Sequence, residues 1–113
     1  MILQKRTIDQ NAIFHAICSD LEKSGMEWAG KPRRKDEWKV LLISGHAIAT
    51  MEYMPELVEG LEGELINIRE STAKMSKERA SSLIDYSLAW AAQNEIPLND
   101  PKILAYRQYK EAS

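Results

Sequence analysis

The sequence predicts an α+β fold, a mainly helical single domain with a small antiparallel sheet or hairpin. Three observations carry that expectation. Apolar residues recur at helical spacing in separate segments, each opened by a capping residue. A glycine-bearing stretch near the middle is flanked by short runs that partly alternate, as in an antiparallel pair. The chain has 113 residues, a length that suits one domain whose core needs no disulfide or metal.

The elements follow in order. Ile2–Lys5 fits a short strand. Thr7, with Gln10 three residues on, has the form of a capping box. Ala12, Ile13, Ala16, Ile17 and Leu21 then share one face, so a helix is predicted over 8–23, closed by Ser24-Gly25. Residues 25–35 read as a connection containing Gly30 and Pro32. Asp36 is the expected N-cap of a second helix over 37–50, with Glu37 favouring the positive helix end. Trp38, Leu41, Leu42 and Ala49 line its apolar face. Val40-Leu41-Leu42-Ile43 alone also reads as a buried strand; the cap decides for helix.

Residues 51–64 carry Pro55, Gly60 and Gly63 and are expected to form a loop or hairpin. Leu57-Val58 and Leu65-Ile66-Asn67-Ile68 make the small antiparallel pair. Ser76 caps a third helix, with Ala80, Leu83, Ile84, Ser87, Leu88 and Ala91 on one face and Tyr86 and Trp90 close by. Asn94 and Pro97 end it. Asp100-Pro101 is an N-cap followed by proline at the first helical position, which predicts a short helix over 101–110. Its apolar face is thin, so the segment from 98 to 113 suits a mobile tail or an interface.

Net charge is −2, so nothing global points to nucleic acid. Charge is nevertheless segregated. Residues 31–39 hold Lys31, Arg33, Arg34, Lys35 and Lys39 against Asp36 and Glu37. Residues 51–64 hold five glutamates and no Lys or Arg, and residues 69–79 hold Arg69, Lys74, Lys77 and Arg79 against Glu70 and Glu78. The acidic stretch reads as a solvated surface, or as one that orients a basic partner or keeps DNA to one side.

The first basic stretch is flanked by Trp28 and Trp38. Binding of single-stranded nucleic acid needs cations that track phosphates and flat rings on which bases stack, and this segment carries both. The other reading is that the rings anchor the loop and the charges are solvated; Trp38, on the apolar face, is the stronger core residue. The second stretch, Ser71 to Arg79, sets hydroxyls and cations before a helix N-terminus. That is a natural place for phosphate, or equally for plain capping.

Other chemistry finds less support. The one cysteine, Cys18, excludes an internal disulfide and fits a reducing cytoplasm. Inside the first helix it reads as core packing rather than a reactive thiol. His15 and His46 are too isolated for a metal signature, and His46 beside Ser44 lacks a visible third partner. Gly60-Leu61-Glu62-Gly63-Glu64 lacks the Lys-Ser/Thr of a phosphate loop. Asp9, Asp36 and Glu37 offer carboxylates for a metal-dependent nuclease, but each has a capping role. Charge follows Met1-Ile2-Leu3 within two residues, so no secretory leader is expected. No apolar run approaches the roughly 20 residues that span a bilayer.

Five features taken together resemble one family. They are Arg-Thr-x-Asp-Gln-Asn at Arg6–Asn11, Trp-x-Gly at Trp28–Gly30, Asp-Glu-Trp-Lys at Asp36–Lys39, Arg-Glu-Ser-Thr-x-x-Met at Arg69–Met75, and the long helix that follows. In this order and spacing the chain, from about Lys5 to Asp100, is similar to the NinB/Orf family of phage recombination proteins. Longer members carry an extra strand and helix ahead of the first element, so a smaller sheet is expected here.

The resemblance implies a non-catalytic recombination mediator that needs no cofactor or metal and acts in the bacterial or phage-infected cytoplasm. It implies a ring-like homodimer around a basic channel. It also implies sequence-independent binding to DNA, single strands in preference to double strands, and joint action with the host single-strand-binding protein and recombinase. On that view Lys31, Arg33, Arg34 and Lys35 form one wall, Arg69, Lys74, Lys77 and Arg79 another, and Trp28 stacks on bases. The competing expectation is a protein-interaction module of the same machinery, with DNA contact incidental.

Overall fold

The computed structural model describes residues 9–50, 56–68 and 75–112. Four helices and two small antiparallel pairs follow one another: α1 (Gln10–Ser24), β1 (Glu27–Trp28), β2 (Lys31–Pro32), α2 (Lys35–Thr50), β3 (Glu56–Glu59), β4 (Leu65–Ile68), α3 (Lys77–Gln93) and α4 (Pro101–Ala112). The mainly helical α+β expectation holds. The expected strand at Ile2–Lys5 lies outside the described residues.

α1 is capped by Asp9, whose carboxylate accepts the Ala12 N–H at 3.1 Å. The predicted Thr7–Gln10 box is therefore corrected. An aspartate next to the first turn supplies the acceptor directly, and Gln10 instead donates from Nε2 to the Lys77 carbonyl at 3.2 Å. Gly25 closes the helix at φ 74, with its N–H on the Glu22 carbonyl, a left-handed stop that glycine takes without steric penalty.

α2 starts two residues before the expected position. The Arg34 carbonyl accepts from Trp38 N–H, and Glu37 Oε1 accepts the Arg34 N–H at 2.9 Å. Glu37 thus supplies the backward arm of a capping box, and Asp36 sits inside the first turn rather than at the cap. The buried face is Trp38, Leu42, Ile43, His46 and Ala47; Ala49, expected there, is exposed.

α1 lies at the centre, packing on α2, α3 and α4. Phe14, Ile17, Leu21, Trp38, Leu83, Ile84 and Ile103 make the densest part of the core. Full burial of each such side chain contributes about 1.5–3 kcal/mol. α4 docks through Ile103 and Tyr106. Tyr106 Oη donates to Asp85 at 2.9 Å, and Asp20 Oδ2 on α1 accepts the N–H groups of Asn99 and Asp100.

The β3–β4 hairpin has the expected pairing, with Val58 opposite Ile66 and Glu59 opposite Leu65. Leu57, Leu61, Leu65 and Ile66 on it are exposed. The β1–β2 hairpin was not expected, because 25–35 read as a connection. Its turn is Ala29-Gly30, with φ 54 and φ 92. Two residues at positive φ make the tight turn that matches strand twist. Asparagine or aspartate before glycine announces that turn, whereas alanine does not.

Candidate nucleic-acid interface

The first basic neighbourhood is built on the β1–β2 hairpin and the start of α2. Trp28 pairs with Lys31 across the hairpin and is 45% exposed, so one part of its indole is open for stacking. Its ring meets Trp90 of α3 edge-on, with centroids 6.0 Å apart and planes at 70°, and Trp90 in turn lies 5.5 Å from Trp38. The two tryptophans differ: Trp38 is core, 1% exposed, and Trp28 anchors the hairpin on Trp90 while staying half-exposed.

The four cations divide. Lys31, Arg34 and Lys35 are exposed. The Arg34 side chain, 72% exposed, makes a 3.5 Å contact to Asp36, a surface pair of little energetic weight. Arg33 is different. Its Nε donates to the Trp28 carbonyl at 2.8 Å, its other nitrogens reach the Ala29 carbonyl and Glu37, and its side chain is 18% exposed. It holds the hairpin to α2 rather than presenting charge to solvent. Glu37 is held below the usual carboxylate range, first by the Arg34 N–H and also by the guanidinium groups of Arg33 and Arg34.

The second neighbourhood sits at the start of α3. Ser76 caps it by accepting the Arg79 N–H at 3.1 Å, and Lys77 is exposed. Arg79, expected on the same wall, is 5% exposed. On the third residue of the helix its side chain turns inward, which withdraws it from an open track. Arg69 and Lys74 lie outside the described residues. Trp90, against which the first hairpin rests, is 13 residues beyond Lys77 on the same helix, about 20 Å at helical rise. One copy of the chain thus holds Lys77 and the Trp28 hairpin toward opposite ends of α3.

The remaining candidates resolve locally. His46 is fully buried, 2.8 Å from Ser82 Oγ and edge-on to Tyr86, so it joins α2 to α3 inside the core. Burial pushes the Cys18 thiol up to about 12, in keeping with core packing. Asp9 and Glu37 cap helices and Asp36 pairs with Arg34. Among the described residues no group of three or more His, Cys, Asp or Glu side chains could hold a metal ion, and no helix is long and apolar enough to cross a membrane. Sequence reasoning missed the part played by Trp90. Its helical position was visible, but its two aromatic neighbours come from segments far along the chain.

Fold and site together define a small α+β protein with a helical core and a cationic, tryptophan-bearing hairpin. The family model described as NinB protein matches residues 2–99, and the chain belongs to the NinB family. This places it among phage recombination-related proteins. A solved structure described as a structural-genomics NinB protein superposes with a TM-score of 0.66 at 21% identity, over 94% of this chain and 71% of that one. At that identity the likeness is one of fold. No curated protein matches the chain.

Proposed function

We propose that this chain is a non-catalytic DNA-binding accessory of phage recombination. It takes single-stranded DNA in preference to duplex, without sequence specificity, and helps recombinase replace the host single-strand-binding protein. The observation that carries the reading is the hairpin: Lys31, Arg34 and Lys35 are exposed beside the half-open indole of Trp28. Exposed cations next to a flat ring are what sequence-independent strand binding requires. Lys77 extends the charge at the far end of α3.

A homodimer completes the proposal. Two copies supply a longer cationic path, and doubling the contacts raises avidity without new chemistry. The surface for it is the β3–β4 hairpin, where Leu57, Leu61, Leu65 and Ile66 stand exposed. An isolated two-stranded hairpin is marginal in water, so an apolar partner surface stabilises it. The same surface favours the second reading, a protein-interaction module for which DNA contact is incidental.

Fluorescence anisotropy of a labelled single-stranded oligonucleotide, at low and physiological salt, tests the proposal. Binding is expected to fall steeply with salt. Arg34→Ala with Lys35→Ala is expected to lower the logarithmic salt slope by about 1.4, from roughly 0.7 per phosphate contact on single strands. No binding at low salt overturns the DNA reading and leaves the interaction module.

A further inference from the structure

Between the β1–β2 hairpin, α2 and α3 lies a cavity of about 120 Å³ lined by Trp28, Trp38, Trp90, Tyr86, Leu41 and Gly45. Its walls are aromatic on several sides. Gly45 lets α3 approach, since a Cβ there would stand 2.6 Å from Tyr86 Oη. Trp28, Leu41, Tyr86 and Trp90 are each partly exposed, so the cavity opens outward beside the cationic hairpin.

The wall therefore offers flat π-faces against which a planar guest can lie.

We propose that the cavity receives a single unstacked pyrimidine base of bound single-stranded DNA. Two features select this occupant. An apolar cavity of about 150 Å³ holds one benzene ring, so a cavity of about 120 Å³, open on one side, suits a single six-membered ring better than a fused purine. Lys31, opposite Trp28 across the hairpin and exposed, meets a phosphate beside the inserted nucleotide, a charge that an apolar aromatic side chain of a protein partner would not use. This inference rests on the reading of the chain as a DNA-binding protein and adds that the bases, not the backbone alone, are held.

The test compares a short oligothymidylate with an abasic oligonucleotide of the same length and charge, by anisotropy and by intrinsic tryptophan fluorescence. The protein is expected to bind the oligothymidylate about tenfold more tightly, the size of one stacked base, with quenching that the abasic strand does not produce. Leu41→Phe fills the cavity while leaving Trp28 on its hairpin, and is expected to bring the ratio to about one; Trp28→Ala is expected to do the same. Equal binding of both strands by the unaltered protein overturns the base pocket and leaves the DNA reading standing. A tenfold preference retained in Leu41→Phe also overturns it, because stacking would then lie on the outer face of Trp28. Failure of both strands to bind at low salt overturns both readings.

Discussion

Arg33 donates from Nε to the main-chain carbonyl of Trp28 at 2.8 Å, across the turn that separates them. The residue that sequence reasoning placed on a phosphate wall is the one that fixes the Trp28 backbone in place. Arg33→Ala is expected to destabilise the fold by about 2 kcal/mol, the weight of hydrogen bonds to a charged group. Urea unfolding measures this, and a red-shifted tryptophan emission is expected as Trp28 leaves Trp90. An unchanged urea midpoint would show that the arginine is a surface charge after all.

Ala29 holds φ 54 in the same turn. A left-handed conformation costs a residue with a Cβ about 1–2 kcal/mol. Asparagine tolerates it better and precedes glycine in such turns. Ala29→Asn is expected to raise stability by roughly 1 kcal/mol, read from the shift in urea midpoint at unchanged slope. A loss of stability would contradict the turn geometry.

Gly45→Ala brings a methyl group to 2.6 Å from Tyr86 Oη and 3.5 Å from its Cζ. The first contact is prohibitive and the second ordinary, so the hydroxyl alone decides the outcome. Overpacking of this kind costs about 1–3 kcal/mol, against a gain of about 1 kcal/mol from replacing a helical glycine. The single variant is expected to be less stable than the parent. Gly45→Ala combined with Tyr86→Phe is expected to recover, and a double-mutant cycle by thermal or urea melting gives the coupling.

His15 is held below its ordinary 6.5, first by burial and then by Lys39 and Lys35. In the unfolded chain it takes a proton near 6.5; in the folded chain it does so only at lower pH. Stability is therefore level above about 6.5, declines as pH falls from there to the folded value, and then levels again with respect to this group. Glu37 acts separately, its contribution lost as pH drops below 4.5 through its lowered folded value. His15→Gln is expected to flatten only the upper window, as urea melts on both sides of it will show.

The Cys18 thiol, pushed up to about 12 by burial, offers almost no thiolate in the native state, and thiolate is the reactive form. Labelling by a thiol reagent at mildly alkaline pH is expected to be slow and to accelerate with urea in step with global unfolding. Fast labelling without denaturant would place Cys18 outside the core.

The helices were legible because capping and periodicity are local. Ser76 and the Asp100-Pro101 pair stand where their residue types predicted, and Leu57-Val58 pairs with the β4 run as expected. The misses have physical causes. Thr7 and Asp9 are both competent caps two residues apart, and local sequence does not rank them. Asp36 yielded to Glu37 because a cap at Arg34 needs a carboxylate three residues on. The first hairpin hid behind an alanine in a glycine-like conformation. Arg33 and Arg79 were legible as charges but not as buried or half-buried groups, since that depends on what packs against them. Trp90 was legible as helical, yet the company of Trp28 and Trp38 is a matter of tertiary structure.

The grip of Asp20 on the Asn99 and Asp100 amides bears on the order of synthesis. α1 is translated well before α4, which covers one of its faces. At ribosomal rates of roughly 5–20 residues per second, the nascent helix waits several seconds for Ile103 and Tyr106. During that interval part of its apolar stripe stays uncovered. Closure of the core is then timed by the arrival of α4 rather than by the folding of α1.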